Sequence, residues 1–79
     1  MAKEIEHVYL AVVNMYRNLS NEKLSRHYRE KLLPRSLYIN ACGLRDLYNE
    51  EHGTNLTIKE AFLAYHEERK RKNGNRIHK

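Results

Sequence analysis

The spacing of apolar side chains along residues 1–19 constrains the fold of this chain more than any other feature. Because an α-helix turns once in about 3.6 residues, apolar side chains at i, i+3, i+4, i+7, i+11 and i+14 share one face. That pattern is formed by Ile5, Val8, Tyr9, Val12, Tyr16 and Leu19. It predicts a helix over residues 3–19, the most buried of the molecule. A homodimer through residues 5–19 is a further hypothesis.

A second helix is predicted over residues 21–33. Ser20 and Asn21 interrupt the first pattern and are preferred N-cap residues. The expected buried face comprises Leu24, Tyr28 and Leu32, which follow at i, i+4 and i+8. Pro34 is expected to end this helix, because the residue before a proline avoids the α conformation.

A third helix is predicted over residues 36–52, with Ser36 as its cap. Leu37, Ala41, Leu44 and Tyr48 follow at i, i+4, i+7 and i+11. Gly43 lies inside and indicates either a close helix contact or a break. The stretch 37–39 is also compatible with a short strand. Gly53 is suited to the position just after the helix end.

A fourth helix is predicted over residues 57–72. Thr57 and Glu60 have the spacing of a capping box, in which each side chain accepts a hydrogen bond from the other residue's backbone. The buried face is expected to comprise Ile58, Ala61, Phe62 and Tyr65, and Gly74 to stop the helix. These elements predict an all-α fold, a compact bundle of three to four short helices, with one domain over 1–73 and a flexible basic tail over 74–79.

The charge is unevenly distributed along the chain. The net charge is +5 in 79 residues; residues 69–79 carry six basic side chains and no acidic one, and residues 21–35 have a net charge of +3. Basic clusters attract phosphate backbones through counterion release. The first hypothesis is therefore a nucleic-acid-binding or nucleoprotein-associated protein in which the two basic regions form one surface. Its predicted contacts are Lys23, Arg26, Arg29, Arg69, Lys70, Arg71, Lys72 and Arg76.

The basic end also has a purely structural interpretation. Cations in the last turn of a helix stabilise its dipole, and Glu67 with Arg71 and Glu68 with Lys72 have the i, i+4 spacing of helical ion pairs. This interpretation leaves Arg69 and Lys70 as the least compensated cations. A helix-turn-helix over residues 44–72, with Lys59, His66 and Lys70 facing a groove of DNA, is a weaker alternative.

The alternative function is binding and modulation, such as inhibition, of another protein, in the manner of small proteins of phages or mobile elements. Residues 36–68 have a net charge of −4, and Asp46 and Glu50 share a helix face. Tyr38 lies outside the predicted buried faces and is the best candidate for an exposed aromatic anchor. The other tyrosines, Tyr9, Tyr16, Tyr28, Tyr48 and Tyr65, are expected to pack inside.

The sequence does not favour an enzyme. The histidines lack the paired spacing of zinc ligands, and Cys42 stands alone, more suited to packing than to catalysis. No catalytic residues, metal or cofactor are predicted. The longest early apolar run, 8–13, is too short for a signal peptide or membrane span, and a lone cysteine suits a reducing compartment. The expected location is the cytoplasm, without membrane contact.

Overall fold

In a computed structural model, the described part of the chain is helical, with short connections; the model describes the backbone of residues 2–77 and the side chains of residues 4–71. Three α-helices follow in order: α1 (Ala2–Asn18), α2 (Leu33–His52) and α3 (Ile58–Ile77). A π-helical segment, Tyr28–Leu32, leads directly into α2. The predicted all-α fold class is therefore confirmed. Within residues 2–77, every helix is too short or too polar to cross a membrane.

The predicted second helix begins later than expected. Residues 19–25 form turns, and the backbone becomes helical at Arg26. The cap is Ser25, whose Oγ accepts a hydrogen bond from the Tyr28 N–H at 3.1 Å. Asn21 instead closes a local turn, in which its Oδ1 accepts a bond from the Lys23 N–H at 3.0 Å. The prediction that Ser20 or Asn21 starts this helix is wrong.

Pro34 does not separate two helices, which corrects the predicted boundary between 21–33 and 36–52. The Leu33 N–H bonds to the carbonyl of Tyr28, five residues earlier, so the turn before the proline is wider than an α-turn. Proline lacks an N–H and its ring collides with the preceding turn of a regular α-helix. The π turn relieves this conflict, and Pro34 lies in the first turn of α2. Residues 37–39 are helical, so the strand alternative is wrong.

The π turn also changes which side chain faces inward. Leu33 is 2% exposed, whereas Leu32 is 49% and Tyr28 40% exposed. One extra residue in this turn places Leu33, rather than Leu32, on the inward face. The prediction that Tyr28 and Leu32 are buried is wrong.

The signals at the end of α2 and the start of α3 are confirmed. Gly53 adopts a left-handed conformation, with φ of 64°, which side chains with a Cβ disfavour. Glu60 Oε1 accepts the Thr57 N–H at 2.9 Å, and Thr57 Oγ1 accepts the Glu60 N–H at 3.2 Å. This reciprocal pair is the predicted capping box.

The other glycine predictions fail. A Cβ added at Gly43 would meet nothing within 4 Å, so neither a close helix contact nor a break requires this glycine. Gly74 does not end α3, which continues to Ile77. A glycine inside a helix costs only about 1 kcal/mol, which is too little to force termination. The helix thus extends into the predicted flexible tail of 74–79, of which residues 78 and 79 lie outside the described chain.

The core forms where α1 and α2 pack in opposite directions. Ile5 of α1 lies beside Leu47, and Met15 lies 3.9 Å from the Asn40 amide. Ile5, Tyr9 and Leu44 form the buried cluster, which Phe62 and Tyr65 of α3 join from the other side. The radius of gyration, 14.2 Å, exceeds the roughly 12 Å typical of a globular domain of this length. Much apolar surface therefore stays exposed.

Candidate functional site

An open groove runs between α1 and α3, with α2 as its floor. It encloses about 670 Å³, within the usual range of ligand sites. Its walls are mainly apolar. The lining side chains are Tyr9, Val12, Val13 and Tyr16 of α1, Ala41 of α2, and Ile58, Lys59, Phe62, Leu63 and His66 of α3. We call this the α1–α3 groove.

At one end the groove is closed by an ion pair between the two helices. Arg69 of α3 donates to Glu6 of α1 through Nε at 3.0 Å and Nη2 at 2.8 Å, engaging both carboxylate oxygens. The Tyr65 hydroxyl also donates to Glu6 Oε1, at 2.6 Å. The Arg69 guanidinium lies over the Tyr9 ring, 4.7 Å from its centroid. We call Glu6, Tyr9, Tyr65 and Arg69 the clamp.

These bonds shift the pKa values of the clamp residues. The hydrogen bond from Arg69, assisted by that from Tyr65, lowers the pKa of Glu6 below its ordinary value of 4.5. Burial raises the pKa of Tyr65, and the bond to Glu6 raises it further. The carboxylate therefore stays ionised and the phenol stays protonated near neutral pH, which keeps the clamp closed.

Tyr9 links the clamp to the groove. Its ring stacks on Phe62 at a centroid distance of 5.2 Å, and its hydroxyl shares a 2.7 Å hydrogen bond with His66 Nδ1. Tyr9 is 4% exposed, so its side chain fills the space between α1 and α3 beside Phe62 and His66. The predicted burial of Tyr9 is confirmed.

At the other end the same two helices leave apolar side chains in solvent. Tyr16 of α1 is 71% exposed and Leu63 of α3 is 49% exposed. The prediction that Tyr16 packs inside is therefore wrong. Its place on the apolar stripe of α1 is as expected, but that part of the stripe faces the groove rather than a neighbouring helix.

The start of α3 is held in place by Asn49 of α2. Asn49 Oδ1 accepts hydrogen bonds from the Leu56 N–H and the Thr54 hydroxyl, both at 2.9 Å, and its Nδ2 donates to the Leu56 carbonyl at 3.1 Å. The connection between α2 and α3 therefore lies against α2. The first residues of α3, Ile58 and Lys59, line the groove together with Ala41. This anchor holds the residues just before α3 against α2.

The basic residues predicted to form one phosphate-binding surface lie in two places. Lys23 and Arg26 are exposed and Arg29 is half-buried, and all three precede α2 in the chain. Arg26 pairs with Glu30 at 3.0 Å, and Arg29 donates to the Leu24 carbonyl at 3.3 Å. Arg69 lies beside Glu6, at the opposite end of α1, which rises about 18 Å between Glu6 and its last residue. The described members of the two regions therefore lie toward opposite ends of α1, and a single phosphate-binding surface formed by both regions stays a prediction.

The basic end itself also differs from expectation. Arg69, expected to be among the least compensated cations, is held by Glu6, because α1 brings a carboxylate that helical spacing within α3 does not reveal. Glu68 lies 3.9 Å from His52 of α2. Lys70 and Arg71 are exposed. The side chains of Lys72 and Arg76 lie outside the described residues.

The residues predicted to bind a protein partner all lie on α2. Tyr38 is 63% exposed, which confirms its expected position. Asp46 and Glu50 are exposed, and Asp46 pairs with Arg45 at 3.0 Å. Tyr38 and Asp46 are about 12 Å apart along the axis of α2. A common binding site for these residues stays a prediction.

Of the stripe proposed for a helix-turn-helix, His66 faces the protein itself, whereas Lys59 and Lys70 are exposed. Lys59 and His66 line the α1–α3 groove, and His66 is bonded to Tyr9. A recognition helix presents such a stripe outward to bases. α1 covers part of that face here, which disfavours this motif.

The sequence-based reasoning missed both the clamp and the groove. Glu6 stands three residues before Tyr9, so a carboxylate at the edge of an apolar stripe was the available signal for the clamp. Nothing in the spacing indicated that Val13, Tyr16 and Leu63 would meet in a groove. Comparisons with models of protein families, with curated proteins and with solved structures found nothing that matches this chain.

Proposed function

We propose that this protein acts by binding another protein through the α1–α3 groove. The observation that carries the proposal is the exposure of large apolar side chains, Tyr16 and Leu63, on the walls of an open groove of about 670 Å³. A contiguous apolar concavity of this kind is typical of a binding surface. The groove presents few converging polar groups, which favours binding rather than catalysis.

The proposal ranks protein binding above the nucleic-acid hypothesis. The two basic regions lie at opposite ends of α1, and Arg69 is committed to Glu6. A phosphate backbone that contacted both regions would therefore have to span about the length of α1. The groove is lined mainly by apolar side chains and suits partner side chains that leave water.

The test is recovery of a stoichiometric protein partner from cells that express this chain, after nuclease treatment. The variant Leu63→Asp places a charge on the groove wall, and we expect it to lose the partner. Ile39→Asp is the matched control, because Ile39 is 61% exposed on another part of the surface and does not line the groove. Retention of the partner by Leu63→Asp would contradict the proposal.

A second candidate, nucleic-acid binding, is favoured by exposed cations just before α2 and in its first turn. Lys23, Lys31 and Arg35 are all exposed there. Its test is a mobility-shift assay at two salt concentrations, where phosphate contacts predict a steep loss of binding as salt rises. The variant Lys31→Gln/Arg35→Gln should reduce both the binding and the salt dependence, and Lys70→Gln/Arg71→Gln reports on the other end. Binding that ignores salt and both variants would exclude this candidate.

A further inference from the structure

We infer that the occupant of the α1–α3 groove is an acidic amphipathic helix of another protein. The inference rests on the proposed function and names the chemistry of the partner.

The shape of the groove suits a helix. Its walls are two helices and its floor is the small side chain Ala41. From Tyr9 to Tyr16 the α1 wall spans about 10 Å, which is about two helical turns. An incoming helix that places apolar anchors at i, i+3, i+4 and i+7 covers the same length. Such a helix would add a further member to the bundle and bury Tyr16 and Leu63.

The rim of the groove is basic at its open end. Lys59 lines the α3 side and is exposed. Arg17, also exposed, follows Val13 by one turn on the α1 side, so the two cations flank the apolar walls. The nearest acidic residue of α1, Glu6, is bound in the clamp.

Of the acidic residues of α3, Glu60 accepts the capping bond from the Thr57 backbone, and Glu67 follows Leu63 by one turn, toward the clamp rather than the open end. Acidic side chains on the flanks of a bound helix would therefore meet Arg17 and Lys59. Complementary charges of this kind determine orientation and partner choice.

A second copy of this chain is a poor occupant. Its exposed apolar residues near the start of α2, Leu32 and Ile39, are accompanied by Lys31 and Arg35, which would bring like charges to a basic rim. Its acidic stretch over 46–51 exposes no large apolar side chain. On α1, beside Glu4, the exposed apolar side chain outside the groove is Leu10 alone, so the described part of the chain offers no acidic helix with several exposed apolar anchors, and the partner must supply it.

The probe is a synthetic helical peptide of about 18 residues, with leucines at i, i+3, i+4 and i+7 and glutamates on both flanks. A second peptide has glutamines in place of the glutamates. Fluorescence anisotropy measures the affinity of each. We expect the glutamate peptide to bind about tenfold more tightly at low salt, with the advantage shrinking as salt rises.

The matched variants locate the effect. Arg17→Glu/Lys59→Glu reverses the rim and should remove the preference for the glutamate peptide. Lys31→Glu/Arg35→Glu changes the net charge equally, at exposed positions that do not line the groove, and should leave the preference intact. Circular dichroism checks that both variants remain helical.

Four outcomes overturn the inference. The first is equal affinity for the two peptides, and the second is an equal loss of the preference for the glutamate peptide in both charge-reversal variants. The third is an oligonucleotide that binds more tightly than the peptide and whose binding is abolished by Arg17→Glu/Lys59→Glu. The fourth is that neither peptide binds. If any of these occurs while Leu63→Asp still abolishes the native complex, the acidic-helix inference fails and the proposed function stands. If Leu63→Asp leaves the native complex intact, the proposed function fails as well.

Discussion

α1 and α3 meet in two different ways along their length. At the clamp, Glu6 and Arg69 form a two-point ion pair beneath which Tyr9 is buried. About two turns further along α1, Tyr16 and Leu63 face each other's helix across open space. The same pair of helices thus provides stability at one end and an unoccupied apolar surface at the other.

The difference shows how a small chain divides its apolar residues between folding and binding. The buried apolar side chains are few: Ile5, Tyr9, Val12, Leu33, Leu44 and Ala61. Burying Tyr16 as well would require α3 to approach α1 at its first turn, where Asn49 holds the connection against α2. The clamp holds α1 and α3 together, whereas the side chains at the open end remain exposed.

The largest expected effect is the loss of Tyr9. Tyr9→Ala removes a buried ring that contacts Phe62 and Tyr65, and should lower the free energy of unfolding by about 3 kcal/mol. Urea denaturation followed by circular dichroism measures it. Tyr9→Phe keeps the ring and removes only the bond to His66, so it should cost about 1 kcal/mol. Equal costs for both variants would show that packing of the ring is not what holds this end.

The next effect tests what holds the residues just before α3 against α2. Asn49→Ala removes three hydrogen bonds to the connection before α3 and should destabilise the protein by about 2 kcal/mol. Asn55→Ala, at an exposed position of the same connection, is the control and should change little. If the two variants are equally stable, Asn49 does not anchor α3.

A smaller effect, with a definite pH dependence, is expected at Glu6. Its pKa is lowered in the folded protein, so its contribution is present above the ordinary pKa of 4.5 and is lost as the pH falls through the lowered value. Glu6→Gln should cost about 1 kcal/mol near neutral pH, because the pair is partly exposed.

The measurement for Glu6 is unfolding by urea near neutral pH and well below pH 4.5. The wild-type protein should lose more stability on acidification than Glu6→Gln, and the exposed Glu67→Gln should behave as the wild type. A difference that stays constant or grows on acidification would contradict the role of the ionised carboxylate in the clamp.

The smallest effect is expected at the open end. Tyr16 is 71% exposed, so Tyr16→Ala should change the free energy of unfolding by less than about 0.5 kcal/mol. The same substitution at Tyr9 costs several times more, which makes the pair a direct comparison of the two ends. A cost for Tyr16→Ala near that of Tyr9→Ala would mean that the groove is closed in solution.

The predictions from sequence succeeded where the signal is local. The capping box of Thr57 and Glu60 and the left-handed Gly53 depend on a few neighbouring residues, and both have the expected geometry. The buried face near Leu32 was wrong because a π turn before Pro34 shifts the register by one residue. Such a turn has no clear sequence pattern, since it resolves a conflict between the proline and the helix around it.

The sequence by itself determined that this chain is helical, which face of α1 is apolar and how α3 starts. These features depend on periodicity and on caps within a few residues. The tertiary structure decided that Arg69 is paired with Glu6 and that Tyr16 is exposed. Both depend on how α1 and α3 are placed relative to each other, which the periodicity within either helix does not reveal. The positive charge near the end of the chain could be counted in the sequence, but its partner stands more than sixty residues away.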